Sequence, residues 1–297
     1  MKSIAAWLVR RPQNAILGLA ATYILFLPLA GIFCGAVITL LVLQHGARRA
    51  ATQVLIAAAV LAVLALVSGG SAPQMALAAL ANWMPAFVLA ALMRQWRSLT
   101  LTLQVSAIVA MAGLLGFYLA LGDPAAFWST WLVEQGAPLF REMGLQEQAA
   151  ALVENQAAVA QQMTVLFVFT IWSLYVFGLL LGNSLYQAVP GQSTVFGRFC
   201  DLNFGRVLAL IMAVASVVAF LSGAVWLRNL AFLMFVVFWI QGLAIMHWLR
   251  AERQLPAILL VVVYALIPLL SALPVISFAV VGYTDAWFGY RTRNAGA

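Results

Sequence analysis

Charged residues are absent from long stretches of this chain. None occurs between residues 155 and 195, and the other long apolar runs contain none either. Over the 297 residues the charged fraction is 8%, about a third of the roughly 25% found in soluble domains. Because so few charges cannot cover a water-facing surface, the sequence indicates a membrane protein. It excludes a soluble enzyme, a nucleic-acid-binding domain and a disordered chain.

The apolar runs have the length of transmembrane helices, which need about 20 mostly apolar residues. Turns rich in glycine, serine or proline separate several of these runs. We therefore predict an all-α fold, a polytopic transmembrane helical bundle of about eight to nine spans, with residues 1–297 as a single integral membrane domain. The predicted segments are residues 14–43, 52–67, 76–93, 99–121, 163–187, 207–221, 229–249 and 257–281.

Proline residues predict that several of these segments are interrupted. The run at residues 14–43 would be roughly 45 Å long as one helix, whereas the hydrocarbon core is about 30 Å thick. Because Pro28 lies near its middle, two short spans or a helix with a re-entrant half fit this run better than one straight helix. Pro85 and Pro268 predict further breaks. A bent hairpin at Pro268 and Pro274 would return the tail to the cytoplasm, so the sequence leaves the side of the C-terminus open.

Basic residues collect at the ends of apolar runs, and this predicts the orientation because cytoplasmic loops are enriched in lysine and arginine. With the N-terminus in the cytoplasm, eleven of the fifteen basic residues face inward. They are Lys2, Arg10, Arg11, Arg48, Arg49, Arg94, Arg97, Arg198, Arg206, Arg250 and Arg253. The sequence thus predicts a multi-pass protein of the bacterial inner membrane, with the lipid bilayer as a partner and no nucleic acid.

The segment at residues 123–162 is predicted to face outward as an extracytoplasmic amphipathic insertion, since it holds five of the eight acidic residues and a single arginine. Asp123, followed by a proline, is typical of a helix start, and this helix should end near residues 136–138. On its apolar face, Trp128 and Trp131 are expected at the level of the headgroups. A second amphipathic helix should follow. The two helices either cover the bundle or form a lid over a cavity.

The chain shows no sequence signature of catalysis. It has no Walker-type phosphate loop, no His-Glu-x-x-His and no clustered carboxylates, so we predict a protein that is not an enzyme, with no catalytic residue, metal site or cofactor. The charge-free spans also argue against a carrier coupled to ions or protons. Uncharged polar residues in the spans either line a ligand pocket or hydrogen-bond neighbouring helices. The candidate ligand-binding residues are Asn82, Trp83, Tyr175, Asn183, Trp239 and Gln241.

The C-terminal third resembles a known family. The runs that carry the resemblance are Asn229-Leu-Ala-Phe-Leu, Trp239-Ile-Gln241-Gly242-Leu-Ala244 and Gly282-Tyr-Thr-Asp285-Ala-Trp287-Phe288-Gly-Tyr290-Arg291. They resemble the YybS-like family of bacterial multi-pass membrane proteins, whose function is unknown, and they make Gly242, Asp285 and Arg291 the family-motif positions. That family remotely resembles the substrate-binding S components of energy-coupling-factor transporters. The resemblance implies capture of a small organic molecule, with an ATPase-driven transport module as partner.

The residues of the tail have their own interpretation. Aromatic residues next to Arg291 and Arg293 form an interfacial anchor. Asp285, placed just beyond the last predicted span, either caps that segment or pairs with an arginine. In the predicted span at residues 229–249, Gln241 is costly in hydrocarbon, whereas Gly242 permits close helix approach.

Two functions remain open from the sequence. Interrupted helices and polar residues beside tryptophan favour a component that binds or transports a small molecule. Small residues at close-packing spacing and the basic loop at residues 191–206 favour a non-catalytic membrane scaffold or assembly factor, with another membrane protein as partner. Compared with an S component, the chain is longer and carries the outer insertion, and no vitamin-binding motif can be carried over. The identity of the ligand therefore does not follow from the resemblance.

Overall fold

The computed structural model describes residues 2–192, 194–253, 255–270 and 272–293, and within these ranges it contains helices and no strand. The helices are α1 (Lys2–Arg10), α2 (Pro12–Leu25), α3 (Ala30–His45), α4 (Ala47–Val67), α5 (Ala72–Trp96), α6 (Leu99–Leu121), α7 (Pro124–Trp131), α8 (Ala137–Glu142), α9 (Gln146–Glu154), α10 (Gln156–Ala188), α11 (Gly205–Ser222), α12 (Val225–Arg253), α13 (Ala257–Leu270), α14 (Ala272–Phe288) and α15 (Tyr290–Arg293).

Six of the described helices are long and apolar enough to cross a bilayer, namely α4, α5, α6, α10, α11 and α12. This confirms the all-α, membrane-embedded fold class predicted from the sequence. The described residues form two compact units. The first contains the residues up to Ser106 together with Ile171–Phe199, and the second contains Ala107–Thr170 and the residues from Cys200 onward. That residues 1–297 act as one membrane domain stays a prediction.

The first apolar run forms a helical hairpin, α2 and α3, in the first unit. The chain turns through a short 3-10 helix, Leu27–Leu29, which interrupts the run at the predicted place. The hydroxyl of Thr22 lies 3.2 Å from the sulfur of Cys34 on the other arm. At the far end, the side chain of His45 hydrogen-bonds to the backbone of Val9, so the hairpin returns to the end where it began. At about 1.5 Å per residue, each arm is shorter than the hydrocarbon core.

Helix α3 is buried on all sides in the first unit, since glycines let neighbouring helices approach it. A Cβ atom at Gly178 of α10 would lie 2.7 Å from the carbonyl oxygen of Gly31. At the end of α3, Arg94 of α5 donates hydrogen bonds to the carbonyls of Val42 and Leu43, and the amide of Gly46 also donates to Val42. A basic side chain thus caps the helix end and ties α5 to α3.

The predicted break at Pro85 is wrong, because α5 runs without interruption from Ala72 to Trp96. A proline inside a helix removes one backbone donor, and the freed acceptors need other partners. The hydroxyl of Tyr175 on α10 donates to the carbonyl of Asn82, three residues before Pro85, at 2.9 Å. The acceptor that loses its helical donor to Pro85 is the carbonyl of Ala81, so the bond from Tyr175 is an additional one. It ties a neighbouring helix to the turn of α5 that precedes Pro85, which no local sequence pattern could indicate.

The outer insertion consists of α7, α8 and α9. The predicted helix start is confirmed, since the carboxylate of Asp123 accepts a hydrogen bond of 3.0 Å from the amide of Ala125. The predicted end near residues 136–138 is wrong: a π-helical turn, Leu132–Gly136, continues directly into α8. Pro138 stands in the first turn of α8, directly after this π-helical turn.

The two tryptophans of α7 occupy different environments. Trp128 is buried and donates a hydrogen bond of 2.8 Å to Thr164 of α10, whereas Trp131 is 40% exposed. The expectation that both reach the headgroups is therefore wrong for Trp128, because a hydroxyl on α10 satisfies its indole N–H inside the protein. This contact ties α7 to the N-terminal half of α10.

The last apolar run also forms a helical hairpin, α13 and α14, in the second unit. In α13, Tyr264 contacts His247 of α12 through a hydrogen bond of 2.9 Å, so α13 runs back along the end of α12. Helix α14 then runs parallel to α12, since Gly282 meets Gly242 and Gly289 lies near Trp248. The described part of the tail therefore lies at the end of α12 from which α13 starts, the hairpin arrangement that the sequence left open.

Reporter fusions test this hairpin. With α12 ending in the cytoplasm, as the basic residues predict, green fluorescent protein at the C-terminus should fluoresce, and alkaline phosphatase at the same position should be inactive. Alkaline phosphatase inserted at Gly122, after α6, should be active and serves as the matched control. Active phosphatase at the C-terminus, beside a control that behaves as expected, would mean that α14 crosses to the outside and would contradict the hairpin.

Candidate functional site

A buried carboxylate lies in the second unit near the end of α14. Asp285 is 1% exposed, and its Oδ2 atom accepts hydrogen bonds from Arg291 Nη2 at 2.7 Å and from Gln241 Nε2 at 2.8 Å. Arg291 also forms an ion pair with it. A buried charge is tolerated when it is both paired and hydrogen-bonded. We call Asp285, Arg291 and Gln241 the Asp285 cluster.

The guanidinium of Arg291 binds the segment that precedes α11. Nη1 donates to the carbonyl of Cys200 at 2.7 Å, and Nη2 donates to the carbonyl of Leu202 at 2.6 Å as well as to Asp285. The side chain is 10% exposed. Charge-assisted hydrogen bonds of this kind are the stronger ones in proteins. Arg291 therefore joins the end of the α13–α14 hairpin to the start of α11.

Gln241 completes the cluster from the middle of α12. It is fully buried, its Oε1 accepts the amide N–H of Phe204 at 2.7 Å, and its Nε2 donates to Asp285. Both ends of the side-chain amide are thus paired, which explains how glutamine is accommodated in an otherwise apolar helix. Gln241 links three elements: α12, α14 and the segment before α11.

Two glycines allow α14 to approach α12 closely enough for these bonds. A methyl group at Gly242 would overlap the backbone carbonyl of Phe278, and one at Gly282 would overlap the backbone carbonyl of Phe238. The close approach that Gly242 predicts is confirmed, and Gly282 supplies its counterpart on the other helix. The backbones are therefore in direct contact, and this contact sets the distance between Gln241 and Asp285.

A cavity of about 280 Å³ adjoins the Asp285 cluster. In the described part of the chain, no hydrogen-bond donor reaches Oδ1 of Asp285, although that atom is buried. Most buried polar groups are paired, so an unpaired carboxylate oxygen needs an explanation such as a bound molecule. The cavity is lined by Cys200, Asp201, Asn203, Trp248, Asp285, Gly289 and Arg291.

The structure distributes the six predicted ligand-binding residues over both units. Four lie in the first unit, where Tyr175 contacts the backbone of Asn82, Trp83 packs on Tyr23, and Asn183 bonds to the Gly197 carbonyl. Trp239 and Gln241 lie in the second unit. Gln241 belongs to the Asp285 cluster, whereas Trp239 packs against Phe169. A ligand-binding role for these six residues stays a prediction.

The family-motif residues Asp285 and Arg291 do come together. The predicted pairing of Asp285 with an arginine is confirmed by their ion pair. Two other expectations are wrong. Asp285 lies inside α14, since that helix continues to Phe288, and Arg291 faces the protein because backbone carbonyls and a carboxylate surround it. The side chain of Arg293 lies outside the described residues.

The buried ion pair of Asp285 and Arg291 also changes an expectation drawn from the sequence. Charge-free spans argued against a carrier coupled to ions or protons, but Asp285 is a buried charged residue inside the apolar helix α14. Charged residues at such positions commonly mark substrate or ion paths.

Several groups around the cavity were not indicated by any sequence pattern. The carbonyls of Cys200 and Leu202 and the amide of Phe204 act through the backbone, which carries no residue-type signal. Asn203 is placed by local structure, since its side chain accepts the amide of Gly205 at 2.8 Å at the start of α11. Trp248 could have been found from its position among polar residues at the end of α12.

Comparisons with protein-family models, with curated proteins and with solved structures found no match to this chain. The resemblance to the YybS-like family therefore stays a prediction. What the Asp285 cluster and its cavity can bind therefore depends on the geometry and chemistry of the residues themselves.

Proposed function

We propose that this protein binds a small organic molecule in the cavity beside Asp285 and takes part in moving it across the bacterial inner membrane. The observation that carries the proposal is the buried carboxylate of Asp285, which lines the cavity with one oxygen unpaired among the described residues. Buried charge in a membrane helix is costly and typically serves a pathway. The cavity volume of about 280 Å³ is close to the lower end of small-molecule sites.

The interrupted helices around the cavity support a transport role. Transporters place substrate sites where broken helices expose backbone groups. Here the α13–α14 hairpin ends beside the irregular segment at residues 202–204. Gly289, with a φ of 59°, follows the last residue of α14, Phe288. Such a segment can change its backbone conformation more easily than a continuous helix can.

The proposed topology follows from the distribution of basic residues and the two hairpins. We place the N-terminus in the cytoplasm and count the six long helices and the two hairpins as eight membrane-embedded segments. In this arrangement the Asp285 cavity opens toward the cytoplasmic side. The bilayer is the first partner of the protein, and residues 123–162 lie outside the cytoplasm.

The proposed relationship to the YybS-like family concerns the same residues. Gly242, Asp285 and Arg291, the positions that carry the resemblance, form the close helix contact and the ion pair of the site. Through the remote similarity of that family to S components, an ATPase-driven transport module is the proposed partner. In that role this protein itself would capture the molecule and would not be an enzyme.

Native mass spectrometry of the purified protein tests the proposed function. The wild type and Asp123→Asn should release the same small molecule, whereas Asp285→Asn should retain at least about tenfold less, as expected for loss of a charge-assisted contact. Asp123→Asn is the matched control, because it makes the same chemical change at the helix start of the outer insertion.

The alternative function, a membrane scaffold, predicts a different result. Wild-type protein would then release no small molecule, and crosslinking would recover a defined membrane protein in wild type and Asp285→Asn alike. The close helix contacts at Gly178 and Gly282 are made within the chain and leave no need for a partner at these two positions. A ligand-free wild type with such a partner would overturn the transport proposal.

A further inference from the structure

We infer that the ligand of the Asp285 cavity is a small organic cation, carrying a protonated amine or an amidinium group. This inference rests on the proposed function and adds the chemical class of the molecule. It is based on how the acceptors and donors around the cavity are already occupied. Four observations support it. One carboxylate oxygen of Asp285 has no donor among the described residues, and several N–H groups of Arg291 are already bonded within the protein. The surroundings offer few metal ligands, and Trp248 forms an aromatic wall.

The free acceptor is Oδ1 of Asp285. An ionised carboxylate offers about four acceptor positions and no donor. Two donors reach Oδ2, and none of the described residues donates to Oδ1, although the residue is 1% exposed. The group that completes this site must therefore donate a hydrogen bond. A cationic N–H group is the strongest such donor for a carboxylate.

Three of the five N–H donors of the arginine in the cluster already have partners within the protein, which leaves fewer of them for an anion. Nη2 of Arg291 already donates to Leu202 and to Asp285, and Nη1 donates to Cys200. The charged residues that line the cavity are two carboxylates, Asp201 and Asp285, and this one guanidinium. An anionic ligand would be repelled by the carboxylate of Asp285, whereas a cation would be attracted to it.

A metal ion fits these surroundings less well than an organic cation. Calcium takes about six to eight oxygen ligands. The carbonyls of Cys200 and Leu202, which could have served as ligands, accept hydrogen bonds from Arg291 instead. Among the described residues, no group of three histidine, cysteine, aspartate or glutamate side chains could hold a metal ion.

The wall and the volume of the cavity suit an organic molecule. Trp248 lines the cavity that Asp285 also lines, and an indole ring attracts a cation placed over its face. Asn203 and Gly289 also line the cavity and add polar groups to its wall. A volume of about 280 Å³ admits a molecule of the size of a small metabolite, and a larger drug-like ligand would not fit.

Calorimetric titration of the full-length protein in lipid nanodiscs tests the inference with three probes of matched shape: benzylamine, benzyl alcohol and benzoate. Benzylamine should bind at least about tenfold more tightly than the other two. Asp285→Asn should weaken benzylamine binding by about tenfold to a hundredfold, and Asp123→Asn should leave it unchanged. Trp248→Leu, which leaves the ion pair intact, should weaken it by about threefold to tenfold.

The outcomes separate the inference from the proposed function. Preferential binding of benzoate or benzyl alcohol that depends on Asp285 would overturn the cationic class and leave a ligand site in place. Equal benzylamine binding by wild type, Asp285→Asn and Trp248→Leu would overturn the assignment to this cavity. A potassium chloride titration with heat that depends on Asp285 would favour an inorganic cation and overturn the organic one. No binding of any probe, with no molecule released in mass spectrometry, would overturn both proposals.

Discussion

Replacement of Arg291 by methionine is expected to lower the free energy of unfolding by about 3 to 5 kcal/mol. Asp285 is 1% exposed, so the substitution would leave a buried carboxylate with Gln241 as its remaining partner. The carbonyls of Cys200 and Leu202 would lose the same donor. Equilibrium unfolding in mixed micelles, followed by circular dichroism, measures the change.

Two further variants make this result specific. Arg250→Met changes an exposed arginine at the end of α12 and should unfold like the wild type. Asp285→Asn combined with Arg291→Met should be less destabilised than the sum of the single variants, because it removes both charges together. If Arg291→Met is no less stable than Arg250→Met, the buried ion pair does not contribute as we describe.

Replacement of Gly282 by alanine is expected to cost about 3 kcal/mol, at the upper end of overpacking in a close-packed interior. The added methyl group would overlap the Phe238 backbone carbonyl and would lie 2.7 Å from the amide nitrogen of Gly242. Because both neighbours are backbone, no side-chain rotation can relieve the overlap, and α14 must move away from α12. The same unfolding measurement applies.

Gly116→Ala is the matched control for this substitution. Gly116 lies inside α6, and no atom would lie within 4 Å of an added Cβ. Alanine should stabilise the helix there by about 0.5 to 1 kcal/mol, because glycine is the poorer helix former. Similar stabilities of Gly282→Ala and the wild type would show that α12 and α14 do not pack backbone to backbone.

The two perturbations should have different effects on the cavity. Arg291→Met removes the contacts to Cys200 and Leu202 and should release the tail from the start of α11. Gly282→Ala should shift the whole of α14 and separate Asp285 from Gln241. Both substitutions should therefore weaken ligand binding, the first by loosening one side of the site and the second by displacing the carboxylate itself.

Local sequence patterns predicted several elements of this structure correctly. The predicted segment at residues 99–121 coincides with α6, and the break near Pro28 is present between α2 and α3. The helix start at Asp123 is also confirmed. Each of these features depends on neighbouring residues alone: a length of apolar chain, a missing backbone donor, or a side chain that caps its own helix.

Features that depend on distant residues were predicted poorly. Pro85 does not break α5, and Tyr175 from another helix binds the turn that precedes it. Trp128 is buried, because Thr164 satisfies its indole. The pairing of Asp285 with an arginine was one of two open readings, and its burial was not expected. In the first two cases the hydrogen-bond partner lies 36 or more residues away in the chain. In the third, the partner Arg291 is near in sequence, and the burial of the pair comes from the packing of other helices around it.

The sequence by itself determined that this chain is a helical membrane protein, because apolar length and the scarcity of charge are properties of the residues alone. Only the tertiary structure decided where the last hairpin ends and which polar groups meet there. Gly242 and Gly282 permit the approach of two helices, and that approach sets Asp285 beside Gln241. Hydrogen bonds and ion pairs act over a few ångströms, so the fold must supply the distances that make a site.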